Sequence, residues 1–501
     1  MSVLSFEFLV FLAATVAVYY ALPLRFRWIG LLAASLAFYA AAGWQGLAYM
    51  LCAAGVTWLG AIAAGKGNKW LPAAALTLVF GAFVFVKYYD AASAWLNGIL
   101  PSSGKEPLIP ELRLIAPLGL SYFTLQSAGY VVDARRGKLQ PERNPLRYLL
   151  FVSFFPQMTQ GPISEWKRLA PLLASPPRFE PITFVAGAQL MLWGYFKKLV
   201  IADRIAPFTI AAASADQPGW LVLLGAALFA VRLYADFSGG MDVIRGAAGL
   251  FGIDMADNFN RPFFSSSVAE YWRRWHISLG AWFRAYMFFP LTVSRAGVAV
   301  GRAGRKLLGK KAGRALPGAA ATVVIFLFVG LWHAASWNAA LYGLYFGLTL
   351  GCATLLEPAF KRLRRGLGVH VESRPPRWFG IVRTLSIVLT AQYFAFTATP
   401  AEAFSLMGAT VTRFGFTTFT QAGAALAAII NPMEWIILVI SLAILFAVDF
   451  MDEKGADVSK RLASAPVFFR WPALIALILA TLVFGCYGEG FDMAAFIYTQ
   501  F

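Results

Sequence analysis

The run ALPGAAATVVIFLFVGLWH, residues 315–333, carries no charge after Arg314 and ends on a histidine. A stretch of about 18 or more apolar residues is long enough to cross a bilayer as a helix. Similar runs recur near 3–22, 28–43, 44–64, 70–98, 113–131, 181–212, 218–236, 317–335, 337–359, 378–398, 433–450 and 468–487. They predict an all-α, polytopic membrane protein with about 11–12 transmembrane helices. The chain has 501 residues, of which 59% are hydrophobic and 14% charged. That balance excludes an ordinary water-soluble domain, and no long linker divides the chain, so 1–501 reads as one domain.

A net charge of +18 raises the question of nucleic acid. The basic residues instead gather in short segments between apolar runs, where orientation signals belong. Residues 133–147 hold Arg135, Arg136, Lys138, Arg143 and Arg147. The 295–314 segment holds seven basic residues and no acid, and 361–377 is similarly basic. These three segments are expected to be cytoplasmic loops, which puts the segments near 99–112, 213–217 and 399–432 outside. Both termini then come out extracytoplasmic. The first run lacks a basic leader and is followed by Arg25 and Arg27, so it reads as a retained span. Cys52, Cys352 and Cys486 lie singly in apolar segments, with no disulfide or metal spacing.

Two regions depart from simple spans. Residues 146–165 are apolar but contain Pro156, Gly161 and Pro162, which predicts a broken or re-entrant segment buried in protein or lining a cavity. Residues 267–284 repeat Val268, Tyr271, Trp272, Trp275, Leu279 and Trp282 at helical spacing, opposite charged positions. That pattern predicts an amphipathic helix that lies in the interface or packs under the bundle.

The chain has three histidines, and two of them directly follow tryptophan: Trp275-His276 and Trp332-His333. A titratable group at membrane depth is costly and marks a functional position. Imidazole exchanges protons near neutral pH. The alternative is an interhelical hydrogen bond, worth about 1 kcal/mol. Around these histidines lie Asp236, Asn258, Arg273 and Arg274, a density of polar groups suited to a buried cavity, with basic side chains for phosphates. Structural polar contacts for Asp236 and Asn258, and anionic lipid for the arginines, are the competing readings. His370, in a basic loop, reads as solvated.

Tyr-Trp-Arg-Arg-Trp-His-Ile-Ser-Leu (271–279), Tyr-Ala-Asp-Phe-Ser-Gly (234–239), Phe-Phe-Pro-Gln-Met-Thr-Gln-Gly-Pro-Ile (154–163) and Gly-Leu-Trp-His (330–333) resemble the membrane-bound O-acyltransferase family. The likeness is to its bacterial alginate and peptidoglycan O-acetyltransferase branch. It implies a central tunnel and an acyl donor entering from the cytoplasm, either acetyl-CoA or an acyl-carrier thioester. It also implies His333 as the principal catalytic histidine and His276 as the second active-site position, with Trp332, Arg273, Arg274, Trp275, Asp236 and Asn258 as substrate-binding candidates. No cofactor or metal is implied. Ala334, Gly240-Met241 and Ala285 depart from the family's usual residues. The terminal Phe-Ile-Tyr-Thr-Gln-Phe (496–501) resembles a family motif whose tyrosine carries the acyl group, which makes Tyr498 a relay candidate; an interfacial anchor is the alternative. The implied function is transfer of acetyl across the membrane to an exported or cell-surface polysaccharide, through an extracytoplasmic acetyltransferase partner. D-alanyl transfer to teichoic acid, a transporter or flippase, and a noncatalytic export scaffold are the alternatives.

Overall fold

The computed structural model describes residues 2–99, 108–214, 216–368, 374–415 and 422–487. Among these the regular elements are helices, and the one β-type pairing is an isolated bridge between Phe259 and Trp275. Among the described residues nine helices are long and apolar enough to cross a membrane: Leu24–Ala42, Trp44–Gly65, Trp70–Ile99, Gly219–Gly249, Ala312–His333, Trp337–Gly366, Arg377–Phe396, Pro432–Glu453 and Val467–Phe484. Phe6–Ala21 is a shorter apolar helix. The protein is thus a multi-pass, all-α membrane protein.

The two remaining expected spans are helical but altered. The 113–131 run begins its helix at Leu120, and every residue of Leu120–Arg135 except Val132 and Arg135 is buried. Its Ser121, Thr124, Gln126 and Ser127 are hidden inside protein, so the helix needs no apolar exterior. Gly119 turns the chain into it at φ 68°, where a Cβ would lie 2.2 Å from the Met158 carbonyl oxygen. The 181–212 run forms Pro181–Tyr195, a π-helical stretch Phe196–Ala202, and Asp203–Ala212. Single π turns inside α-helices gather at functional positions.

The chain packs as two compact units, one of residues 1–191 and 241–256, the other of 192–240 and 257–501. In the first, Phe8, Phe11, Phe38 and Phe155 form an aromatic cluster. The expected broken segment lies here. Helix Pro145–Ser153 stops, one turn forms at Phe155–Met158, and the backbone runs irregularly to Glu165. Residues 151–164 are all buried. The buried backbone finds partners: Ser35 Oγ accepts from the Phe155 N–H at 3.2 Å, and the Gln126 amide donates to the Phe151 carbonyl at 2.8 Å.

In the second unit, Ala312–His333 and Trp337–Gly366 form a tight antiparallel pair. Gly330 and Gly343 permit it: a Cβ on Gly330 would lie 2.1 Å from the Ala339 carbonyl oxygen, and one on Gly343 2.2 Å from that of Phe326. Small residues at such crossings let backbones touch in membranes. Ser336 caps the return helix by accepting from the Ala339 N–H.

Three expectations change. The basic 295–314 segment is helical, not a loop, and it bends at Gly309 (φ 77°) before the span begins. Its alanines, leucines, lysines and arginines favour helix, and glycine alone turns without strain. Residues 361–366 likewise continue the preceding helix. The amphipathic 267–284 helix is two short helices, Val268–Arg274 and Ile277–Phe283, interrupted at Trp275-His276.

Candidate active site

The interruption builds the site. Asn258 and His276 face each other across a short hairpin. The Asn260 N–H donates to the Arg274 carbonyl at 2.9 Å, and the Ile277 N–H to the Asn258 carbonyl at 3.0 Å. His276 sits in the left-handed region at φ 46°, ψ 55°, as does Arg261 on the opposite limb at φ 46°, ψ 60°. Residues other than glycine are uncommon in that conformation, with asparagine, aspartate and histidine entering it more often than the rest, and it persists where surroundings hold it.

The hairpin also fixes the imidazole's proton. Asn258 Oδ1 accepts from the Ser278 N–H at 2.9 Å, which assigns it as the amide oxygen. His276 Nδ1 lies 3.3 Å from the same oxygen. An amide oxygen only accepts, so Nδ1 carries the hydrogen and Nε2 is the ring's acceptor nitrogen. His276 is 2% exposed, and the Phe237 ring stands edge-on to it at 4.9 Å. It lies outside the candidate spans. Burial first, then the field of His333, hold its pKa well below the ordinary imidazole value. That second cause places the two histidines within electrostatic reach of each other.

His333 is the last residue of its span, half-buried, with the buried Trp332 ring at 4.8 Å. Helices Val268–Arg274 and Ile277–Phe283 pack beside the same span: Trp272 meets Phe326 at 4.9 Å, and Phe283 meets Phe328 at 6.0 Å. Ala334 has φ −147°, an extended backbone that any residue adopts, so alanine stands there without strain.

The other expected residues take varied places. Asp236 is 1% exposed, and its carboxylate lies 2.7 Å from Lys198 Nζ. Trp275 packs against Tyr271 at 5.6 Å and Phe259 at 5.0 Å, in the hairpin's core. The guanidinium of Arg274 engages Glu453 and Glu270, each at 2.7 Å at closest approach. Arg273 is exposed. Tyr498 and His370 lie outside the described residues.

Sequence reasoning missed Lys197 and Lys198. Both are buried in the π-helical stretch; Lys198 pairs with Asp203 at 2.8 Å as well as Asp236, and Lys197 donates to Ser238 Oγ at 2.9 Å. Gly239 makes this approach possible, since a Cβ there would lie 2.8 Å from the Gly194 carbonyl oxygen. Two adjacent lysines inside an apolar run were the available signal. Among the described residues, no cluster of three or more His, Cys, Asp or Glu could hold a metal ion.

No family model matches the chain. It is 30% identical over 389 residues to the probable alginate O-acetylase AlgI of Azotobacter vinelandii, a match covering 74% of this chain and 70% of that protein. The peptidoglycan O-acetyltransferase of Helicobacter pylori is 30% identical, covering 53% of this chain and 52% of its own. The teichoic acid D-alanyltransferase of Bacillus subtilis is 27% identical, covering 59% and 70%. The motifs quoted at the outset, the helical membrane architecture and these relatives agree: the chain belongs to the membrane-bound O-acyltransferase family and is an O-acyltransferase.

Proposed function

We propose that this protein transfers acetyl from a cytoplasmic thioester, acetyl-CoA, for O-acetylation of an exported or cell-surface polysaccharide. His333 is the general base. Its imidazole takes the proton of an acceptor hydroxyl as that oxygen attacks the thioester carbonyl. The C–S bond then breaks, the departing sulfur recovers the proton, and an ester is left on the acceptor. Such base catalysis contributes about 10²–10⁴-fold.

The observation that carries this reading is that the two short helices flanking the buried His276 pack against the span that ends at His333. The tautomer of His276 gives it a finer role. Its Nε2 accepts, so it orients a donor N–H or O–H instead of donating to an oxyanion. Arg273, exposed beside this hairpin, is the remaining candidate for the donor's phosphates.

Tyr498 is proposed as the first acceptor, its phenol oxygen taking the acetyl and passing it to an extracytoplasmic partner. The chain leading to it is tied beside the buried lysines, since the Cys486 N–H donates to the Leu199 carbonyl at 2.9 Å. Acetyl is favoured over D-alanyl because the alginate O-acetylase relatives match over 74% and 76% of this chain, whereas the teichoic acid D-alanyltransferases match over 59% and 49%.

The test is the acetyl content of the host's surface polysaccharides with and without this protein. Loss of ester-linked acetyl on deletion, restored by the gene, is expected. Unchanged acetylation contradicts the reading.

A further inference from the structure

Glu453 ends the Pro432–Glu453 helix, and its side chain is 12% exposed. Three arginines from separate elements converge on it. Arg274 approaches with Nη1 at 2.7 Å and Nη2 at 3.2 Å. Arg377 Nη2 lies at 2.9 Å, and Arg261 Nε at 3.3 Å. A surface ion pair is worth little, but a two-pronged arginine–carboxylate contact inside a partly buried network has defined geometry.

The positions of these arginines give the cluster its meaning. Arg261 stands three residues after Asn258, and Arg274 two before His276. They are the two limbs of the hairpin that carries the histidine, and Arg274 Nη1 also approaches the Arg261 carbonyl at 3.4 Å. Arg261 and His276 are the two residues of that hairpin with left-handed backbone. The same helix grips it a second time one turn earlier: Asp449 accepts from the Tyr234 hydroxyl at 2.9 Å, and the Tyr234 ring packs on Phe259, Phe263 and Trp275. Left-handed backbone must be held by its surroundings, and here the holding group is a carboxylate far along the sequence.

We propose that Glu453 is a positioning residue: by gathering Arg261, Arg274 and Arg377 it holds the hairpin in the conformation that presents His276 to the reaction. The inference rests on the reading that His276 takes part in acyl transfer. Glu453 touches no substrate. It acts through the backbone between Asn258 and His276, so its loss moves turnover and leaves donor affinity nearly untouched.

The experiment measures acyl transfer by the purified full-length protein in proteoliposomes, with labelled acetyl-CoA, for Glu453→Gln, Glu453→Asp, His276→Asn and the Glu453→Gln/His276→Asn double variant. Glu453→Gln is expected to lower kcat by about tenfold to a hundredfold, the cost of misplacing a reacting group by ~1 Å, with KM for the donor changed little. Glu453→Asp restores much of the rate. In the His276→Asn background, Glu453→Gln has no further effect, because residues acting as one unit are not additive. Full kcat in Glu453→Gln while His276→Asn is impaired overturns the proposal, as does the same fractional loss in both backgrounds. Full activity of His276→Asn instead overturns the parent reading. If Glu453→Gln does not fold, Arg377→Gln decides: a several-fold loss of kcat supports the clamp, and an unchanged kcat overturns it.

Discussion

His276 shows how much one backbone conformation settles. Its left-handed φ ends one helix and starts the next, and Asn258 dictates which nitrogen bears the hydrogen. Burial and the neighbouring His333 disfavour the charged ring. The linkage sign follows. A pKa lower in the folded than in the unfolded state means the unfolded chain binds the proton first, so stability is present above the ordinary imidazole value of 6.5 and lost as pH falls below it. Wild-type protein should therefore lose thermal stability between about pH 7 and 5 more steeply than His276→Asn, whose residue tolerates left-handed φ and does not titrate there. Melting curves in detergent across that range check this; parallel profiles contradict it. Both histidines stood out in the sequence because imidazole is rare in apolar surroundings. Glu453 did not, since a carboxylate at the end of an apolar run looks like an ordinary interfacial charge.

At the scale of elements, hydropathy located the spans well, because a bilayer forces length and composition on any helix that crosses it. It failed where protein replaces lipid. The 113–131 run was legible as apolar, but nothing in it showed that its helix, Leu120–Arg135, is buried among other helices. The helical spacing over 267–284 was real, but the pattern could not reveal that Asn258 would capture the Ser278 N–H and break the helix at His276. The π-helical stretch was equally hidden, since nothing local marks the extra residue. Its lysines form the most exacting contact in the second unit: Lys198 is 1% exposed between two carboxylates. Removing one partner of a buried ion pair strands the other, at about 3–5 kcal/mol. Lys198→Met should therefore lower the unfolding midpoint strongly, and adding Asp236→Asn should recover part of the loss. A single variant as stable as wild type would show that the network contributes nothing.

For the whole molecule, we propose an orientation from the basic segments. Helical or not, 295–314 carries seven positive charges and no negative one, and the bias of such segments toward the cytoplasm is the ground for the proposal that it lies there. In a cysteine-free background, Lys306→Cys should react with an impermeant maleimide only after permeabilisation, and Leu112→Cys in intact cells; the reverse pattern would invert the proposed direction of acyl movement. The family and the helical membrane architecture were legible in motifs alone, because those motifs are concentrated where chemistry and close packing coincide. The acceptor was not legible, since nothing in residues 271–279 or 328–337 describes a polymer. The central claim is that His333 takes the proton from the incoming hydroxyl. It is tested most directly by measuring acyl transfer from labelled acetyl-CoA by purified His333→Ala beside wild type, with folding verified by its melting curve. A folded variant slowed by about 10²–10⁴-fold is predicted; a folded variant that transfers acetyl at nearly the wild-type rate would contradict the account.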